Sequence, residues 1–216
     1  IFHVFLVFFS ILNKVVILTS QLIENHMSYL PKHFSETKWT AIQSFIEIFP
    51  LATLITCHSD EIFTSHIPFI IDGEKLVGHL NKDNPQFKHL HTSKVELIFH
   101  GGDAYISPAE FPTDELPTFN FAKVHIKGIA SYVDESRLIK SLVDMTEQLD
   151  ENFKLEYTYP KIDTLKHFIQ GFEVSIDHYH GRFKMSQDKS RAHFEKARTL
   201  MKESQINRLI YFLDKE

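Results

Sequence analysis

Polar side chains set within apolar, β-type runs are the residues of this chain whose types and spacing could do chemistry. Ser65 and His66 open a run that continues as Ile67-Pro68-Phe69. His79 interrupts Val77-Gly78-His79-Leu80 and is followed by Asn81, Lys82 and Asn84. Thr118 and Asn120 flank Phe119, and Lys184, Ser186 and Gln187 close the last apolar run. Any one of them is at home as a satisfied core group or a solvated strand end. Brought together at the ends of strands, they suit a ligand with a flat ring and an anion. The ring needs apolar walls and a few fixed hydrogen bonds. A phosphate needs an ammonium group with hydroxyl and amide donors beside it.

Other chemistries find less support. There is no Gly-rich phosphate loop, no HExxH, no CxxC and no Gly-x-Ser-x-Gly elbow. The chain has 14 His, and His89/His91 and His178/His180 stand at i, i+2. Such spacing can put two imidazoles on one strand face. Both pairs read as turn or loop residues, however, and no third ligand stands at a fixed distance, so a metal centre is not expected. The single cysteine, Cys57, leaves no disulfide framework within one chain and fits a reducing, cytoplasmic setting. It falls in an apolar run and is expected as a small buried hydrophobe. A net charge of −5 argues against a surface built broadly for nucleic acid. DNA binding therefore lacks support from charge, and no helix-turn-helix pattern is visible. The most basic stretch, Asp188–Glu216, reads more plainly as a solvated helix packed on the domain or on a partner subunit.

The elements that must position these groups follow from periodicity. The central stretch is Phe99–Gly128, entered by the apolar run Val95–Phe99. From Ala122 the pattern alternates: Ala122, Val124 and Ile126 share one face, and Lys123, His125 and Lys127 share the other. Gly101-Gly102 is expected to carry the chain out of the first strand. Ala104–Leu116, rich in Pro and acids, reads as a long excursion outside the core. Leu51–Cys57, Ile67–Ile71 and Lys75–Leu80 are short apolar runs, expected as strands buried on both faces. A turn is expected at Asp72-Gly73. A helix is expected over Ser35–Phe49 with Thr37 as its N-cap, and another after Asp134 with Leu138, Leu142, Met145 and Leu149 on one stripe. Lys154–Lys161 reads as a loop. A short helix opening at Asp163 is expected to stop at Gly171. Tyr179-His180-Gly181 reads as a hairpin turn between Phe172–Asp177 and Arg182–Ser186, and the last stretch is helical. The sum is six or seven strands with helices at the periphery: an α+β, antiparallel split β-barrel.

The 216 residues are 43% hydrophobic, enough for one domain. Residues 1–26 form an apolar extension expected to lie outside that domain. Lys14 near the middle of its first 20 residues disfavours a membrane span. The domain is expected over residues 27–203, with a helical tail at 204–216.

Seven segments in order resemble the PaiB family of FMN-binding negative transcriptional regulators. They are MSYLPKHF (27–34), PLATLIT (50–56), SHIPF (65–69), GHLNKDNPQF (78–87), AYISP (104–108), LPTFNFAKVHIKG (116–128) and GRFKMSQ (181–187). The resemblance implies a flavin-reductase-like split barrel, a homodimer, and FMN held at its interface. It implies cofactor contacts from Ser65, His66, Pro68, His79, Lys82, Asn84, Thr118, Asn120, His125, Lys184, Ser186 and Gln187. Lys82 stands where the family usually has Arg. The family's Ser-Trp-Tyr-Pro-Ser-Lys is Ala109-Glu110-Phe111-Pro112-Thr113-Asp114 here, and its Trp and Tyr around Asn120 are Phe119 and Phe121. These changes keep aromatic walls and lose donors. The alternative implied by the fold is a flavin-dependent oxidoreductase of the pyridoxamine-phosphate-oxidase or flavin-reductase class. His66, His79 and His125 would be its candidate proton donors.

Overall fold

Period-two alternation builds most of this molecule. The computed structural model describes residues 31–112 and 116–213, with side chains to residue 202. Within the unit His33–Glu216 the order is β1 (Ser35–Glu36), α1 (Trp39–Ile48), β2 (Leu51–His58), β3 (Glu61–Pro68), β4 (Ile70–Asp72) and β5 (Lys75–Asn81). Next come α2 (Phe87–Leu90), β6 (Lys94–Ile106), β7 (Thr118–Tyr132), α3 (Glu135–Leu149), α4 (Pro160–Leu165), β8 (Ile169–Lys184) and α5 (Arg191–Leu213). The eight strands form one sheet in the order β3-β2-β6-β7-β8-β5-β4, with β1 added to β8. Every pairing is antiparallel.

Connectivity makes this sheet curl. β3 and β4 stand at opposite ends of the strand order, yet only Phe69 separates them. The two edges must therefore approach each other, giving an α+β half-barrel with peripheral helices. Phe69 is fully buried, and its amide donates to Pro50 O at 2.9 Å. Its ring meets Phe99 and Phe172 edge-on, with centroids 6.1 and 5.6 Å away. The inward faces of the strands supply the rest of the core: Leu54, Leu97, Val124, Ile126 and Val174 are all 0% exposed. α1 adds Ile42, Phe45 and Ile46 to the same cluster.

Several elements match expectation. β7 alternates over its whole length, and α3 is capped by Asp134, whose carboxylate accepts from Arg137 N at 2.8 Å. Gly73 turns the chain between β4 and β5 at φ +64°.

Others differ. β2 is buried on one face only, so Cys57 is exposed, not a core hydrophobe. The N-cap of α1 is Lys38, not Thr37. Among the described residues no side chain caps the helix; Glu36 Oε1 instead orders the residues before it, accepting from the amides of Thr37 and Lys38 at 2.9 and 2.8 Å. The run Ile67–Ile71 divides between β3, which already begins at Glu61, and β4. α4 opens at Pro160, inside the expected loop.

The glycines account for the largest corrections. Gly101-Gly102 is a bulge inside β6, not an exit from it, and the strand continues to Ile106. Ala104 and Ile106, read as excursion, are buried against Ala197 of α5. Gly171 stops no helix. It lies within β8, where a Cβ would sit 2.8 Å from Val133 Cγ2. Tyr179-His180-Gly181 is not a turn either, because β8 runs unbroken from Ile169 to Lys184.

α5 is seated by Phe111 stacked on His193, with centroids 3.5 Å apart, and by Lys196 paired with Glu110 at 2.9 Å. It continues without a break past residue 204. The apolar extension 1–26, the substituted Asp114 and the side chains of Ile206, Leu209, Ile210 and Leu213 lie outside the described residues. No helix among the described residues is long and apolar enough to cross a membrane.

Candidate functional site

Ten of the twelve sequence-predicted residues gather in or beside two clefts. The first cleft, of about 530 Å³, is lined by Ser65, His66, Pro68, His79 and Asn84, together with Ile67, Leu80, Asn81 and Ile169. It forms where the ends of β3 and β5 meet as the sheet curls. A buried amide organises its wall. Gln86, 1% exposed, accepts from Ser65 Oγ at 2.7 Å and donates through Nε2 to Thr56 Oγ1 at 2.9 Å. Asn84 donates to Ser65 Oγ at 2.8 Å and accepts from the Gln86 amide at 2.9 Å. The network is closed, so the wall is rigid. Burial pushes the pKa of His79 below its ordinary value, and its Nδ1 is buried without a partner. A neutral imidazole at this edge suits a hydrogen bond rather than a charge.

The second cleft, of about 570 Å³, is lined by Thr118, Asn120, Lys184 and Ser186, with Phe34, Leu116, Pro117, Asp188 and Lys189. β7 and β8 present these groups at their paired ends, with Phe121 opposite Lys184. Asn120 is 0% exposed and donates to Ser186 Oγ at 2.8 Å. Ser186 holds a left-handed backbone at φ +64°, which turns the chain away after β8 and aims its hydroxyl back. Lys184 donates its ammonium to the Thr118 hydroxyl. Among the described residues no carboxylate neutralises Lys184, so the charge remains available to an anion. Gln187 borders this cleft as a clamp: it donates to Phe183 O and His33 O and accepts from Met185 N.

Lys82 and His125 lie elsewhere. The Lys82 ammonium caps the carbonyls of Lys166 and His167, at 3.3 and 3.1 Å. His125 sits on the outer sheet face, with Nδ1 2.9 Å from Glu96 Oε1. That hydrogen bond is the main reason the Glu96 carboxyl stays below the usual carboxylate range.

The same outer face holds groups that sequence reasoning missed. Thr53 Oγ1 lies 3.2 Å from His66 Nδ1 and 3.0 Å from His100 Nε2, and Lys123 Nζ lies 2.8 Å from His100 Nδ1. Register then sets Arg182 opposite Lys123 and His180 opposite His125. His180 Nδ1 and Arg182 Nε are buried without partners. Burial, then the Arg182 charge, lowers the His180 pKa. Lys123, His125 and Lys127 marked this face in the sequence. Reading β8 as a hairpin is what hid the other half of it.

These observations fit a flavin mononucleotide. Lys184 and Thr118 are anion-type donors held beside the mutually bonded Asn120–Ser186 pair, and the His79 cleft offers an apolar wall with an unsatisfied nitrogen. A curled antiparallel half-barrel carrying such clefts belongs to the class of FMN-binding split barrels. Residues 28–178 match the family described as "Putative FMN-binding domain", and the chain belongs to that family. It is 25% identical over 173 residues to the Bacillus subtilis "Protease synthase and sporulation protein PAI 2", a match covering 75% of this chain and 83% of that one. It is 30% identical over 154 residues to an uncharacterized protein of Saccharomyces cerevisiae, covering 57% of this chain and 90% of that one. Among solved structures, the FAD and haem binding protein from Mycobacterium smegmatis aligns with TM-score 0.59 at 14% identity, over 76% of this chain and 80% of that one. The flavocytochrome Anf3 from Azotobacter vinelandii aligns with TM-score 0.58 at 14% identity, over 78% of both chains.

Proposed function

We propose that this protein binds FMN at the interface of a homodimer and works as a PaiB-type, flavin-dependent negative regulator of transcription. The observation that carries the dimer is the separation of the two clefts. They share no lining residue. His79 pairs with Gly171 near one end of β8, and Lys184 ends the same strand. At about 3.3 Å per residue, that is roughly 40 Å of strand, too much for one FMN to bridge within a chain. A second copy laid across the outer sheet face would bring the ring-type cleft of one subunit to the anion-type cleft of the other.

In this reading Lys184 and Thr118 hold the phosphate, while Asn120 and Ser186 fix the geometry of that end. His79 and His66 border the ring, and Pro68 supplies apolar wall. FMN supplies a ring able to accept and return electrons. The chain binds it and limits its contact with water. Relationship to PAI 2 supports the regulatory role.

The test is equilibrium dialysis with FMN, combined with light scattering, on the full chain. Retained flavin on a dimer, with retention cut about tenfold or more in Lys184→Ala, is the expected result. A monomer that still retains flavin would overturn the interface. A dimer that never retains flavin would overturn the cofactor. Bleaching of the bound flavin by NADH or NADPH with turnover would favour the oxidoreductase.

A further inference from the structure

On the inner side of β8, away from both clefts, lies a small pocket of about 220 Å³ lined by Trp39, Glu74, Ile176 and Tyr179. Trp39 opens α1, Glu74 lies in the turn between β4 and β5, and the other two come from β8. A bulge creates the arrangement. Lys127 pairs with His178 and Gly128 with Ile176, so Asp177 is the extra residue. Without it, Ile176 and Tyr179, three apart, would face opposite sides of the sheet. With it, both pack toward the core beside Trp39. Gly128 makes room: a Cβ there would sit 2.1 Å from Ser175 O.

The two rings stand with centroids 5.0 Å apart and planes at 51°, which makes a corner rather than a flat stack. Across from them, Glu74 has no ion pair or hydrogen bond among the described residues. Its neighbours are engaged: Asp72 pairs with Arg137 at 3.0 Å, and Lys75 with Glu173. Two electron-rich ring faces, an aliphatic floor and one uncompensated carboxylate attract a soft organic cation. They do not suit a hard metal ion, which requires several oxygen ligands.

We propose that this pocket binds a small alkylammonium ion, with the cationic head in the corner formed by Trp39 and Tyr179 and the Glu74 carboxylate as counter-charge. The pocket shares no lining residue with either flavin cleft, so the proposal stands whether or not FMN binds.

Trp39 is the only tryptophan of the chain, so its emission reports on the pocket directly. The experiment is a fluorescence titration of the full chain with choline chloride, set against sodium chloride and the neutral isostere 3,3-dimethylbutan-1-ol. Choline is expected to change the emission saturably, with the isostere at least about fivefold weaker. Glu74→Gln lies in an exposed turn and leaves folding alone. It should weaken choline about fivefold while leaving the isostere unchanged. Tyr179→Leu should weaken choline as well. Equal responses to choline and the isostere would reduce the site to an apolar dent and overturn the proposal. So would a choline curve that follows sodium chloride, or one that Glu74→Gln leaves unmoved. A response to phosphatidylcholine vesicles but not to free choline would overturn it in favour of a membrane headgroup.

Discussion

The two clefts use the same kinds of residue to opposite ends. At the β3–β5 end, every polar group around Gln86 is matched by another: Ser65, Thr56 and Asn84 give and take hydrogen bonds in a closed set. At the β7–β8 end, Asn120 and Ser186 satisfy each other, but among the described residues Lys184 has only the neutral Thr118 hydroxyl. The first cleft is a shaped wall with little electrostatic demand. The second holds a charge that no carboxylate among the described residues neutralises. Matched groups make shape, and an unmatched one makes affinity for an anion.

The largest effect should come from breaking the matched set. Gln86→Leu removes the side-chain amide that accepts from Ser65 and donates to the buried Thr56, and should cost about 3 kcal/mol in urea unfolding. Next is Lys184→Ala. Its loss should cost about 2 kcal/mol of FMN binding in dialysis while moving the unfolding midpoint little. Together these two variants separate shape from charge. Ser186→Gly sets two terms against each other: it relieves the left-handed backbone, worth about 1 kcal/mol, and strips the buried Asn120 of its partner, worth about 2 kcal/mol. A net loss of about 1 kcal/mol is expected by chemical denaturation.

The smallest effect is on pH dependence. The folded pKa of His79 lies below its ordinary 6.5, so just under that pH the unfolded chain binds more protons than the folded one. Stability should therefore fall as pH drops below about 6.5. His79→Asn should flatten this part of the melting-temperature profile, measured by calorimetry. The Glu96 carboxyl acts lower: its folded pKa lies below 4.5, so its contribution is present above that pH and is lost as pH falls through the folded value.

How legible the molecule was depended on how local each signal is. β7 and α3 could be read directly, because alternation and the Asp134 cap depend on a few neighbouring residues. The glycines misled. Gly171 and Gly181 look like breakers, but in the fold they are places where β8 passes close to other chain: a Cβ at Gly181 would sit 2.9 Å from Ile42 Cδ1. The Gly101-Gly102 bulge is likewise a property of the β6–β7 register, which no residue of β6 states alone. Most of the candidate site residues were visible as polar groups in apolar runs. Their partition into two clefts was not, and neither were the contributions of Thr53, Glu96, His100, His180 and Arg182 to the outer face.

By itself the sequence determined the alternating faces of β7, the α+β class and a ring-and-anion set of side chains, because side-chain period and residue chemistry are local properties. Only the tertiary structure decided the rest. It kept β8 as one strand, placed Asp177 as a bulge that brings Ile176 and Tyr179 together, and sent His79 and Lys184 to opposite ends of the sheet. Register, bulges and curl are set by what each strand pairs with, and that information lies in the partner strand.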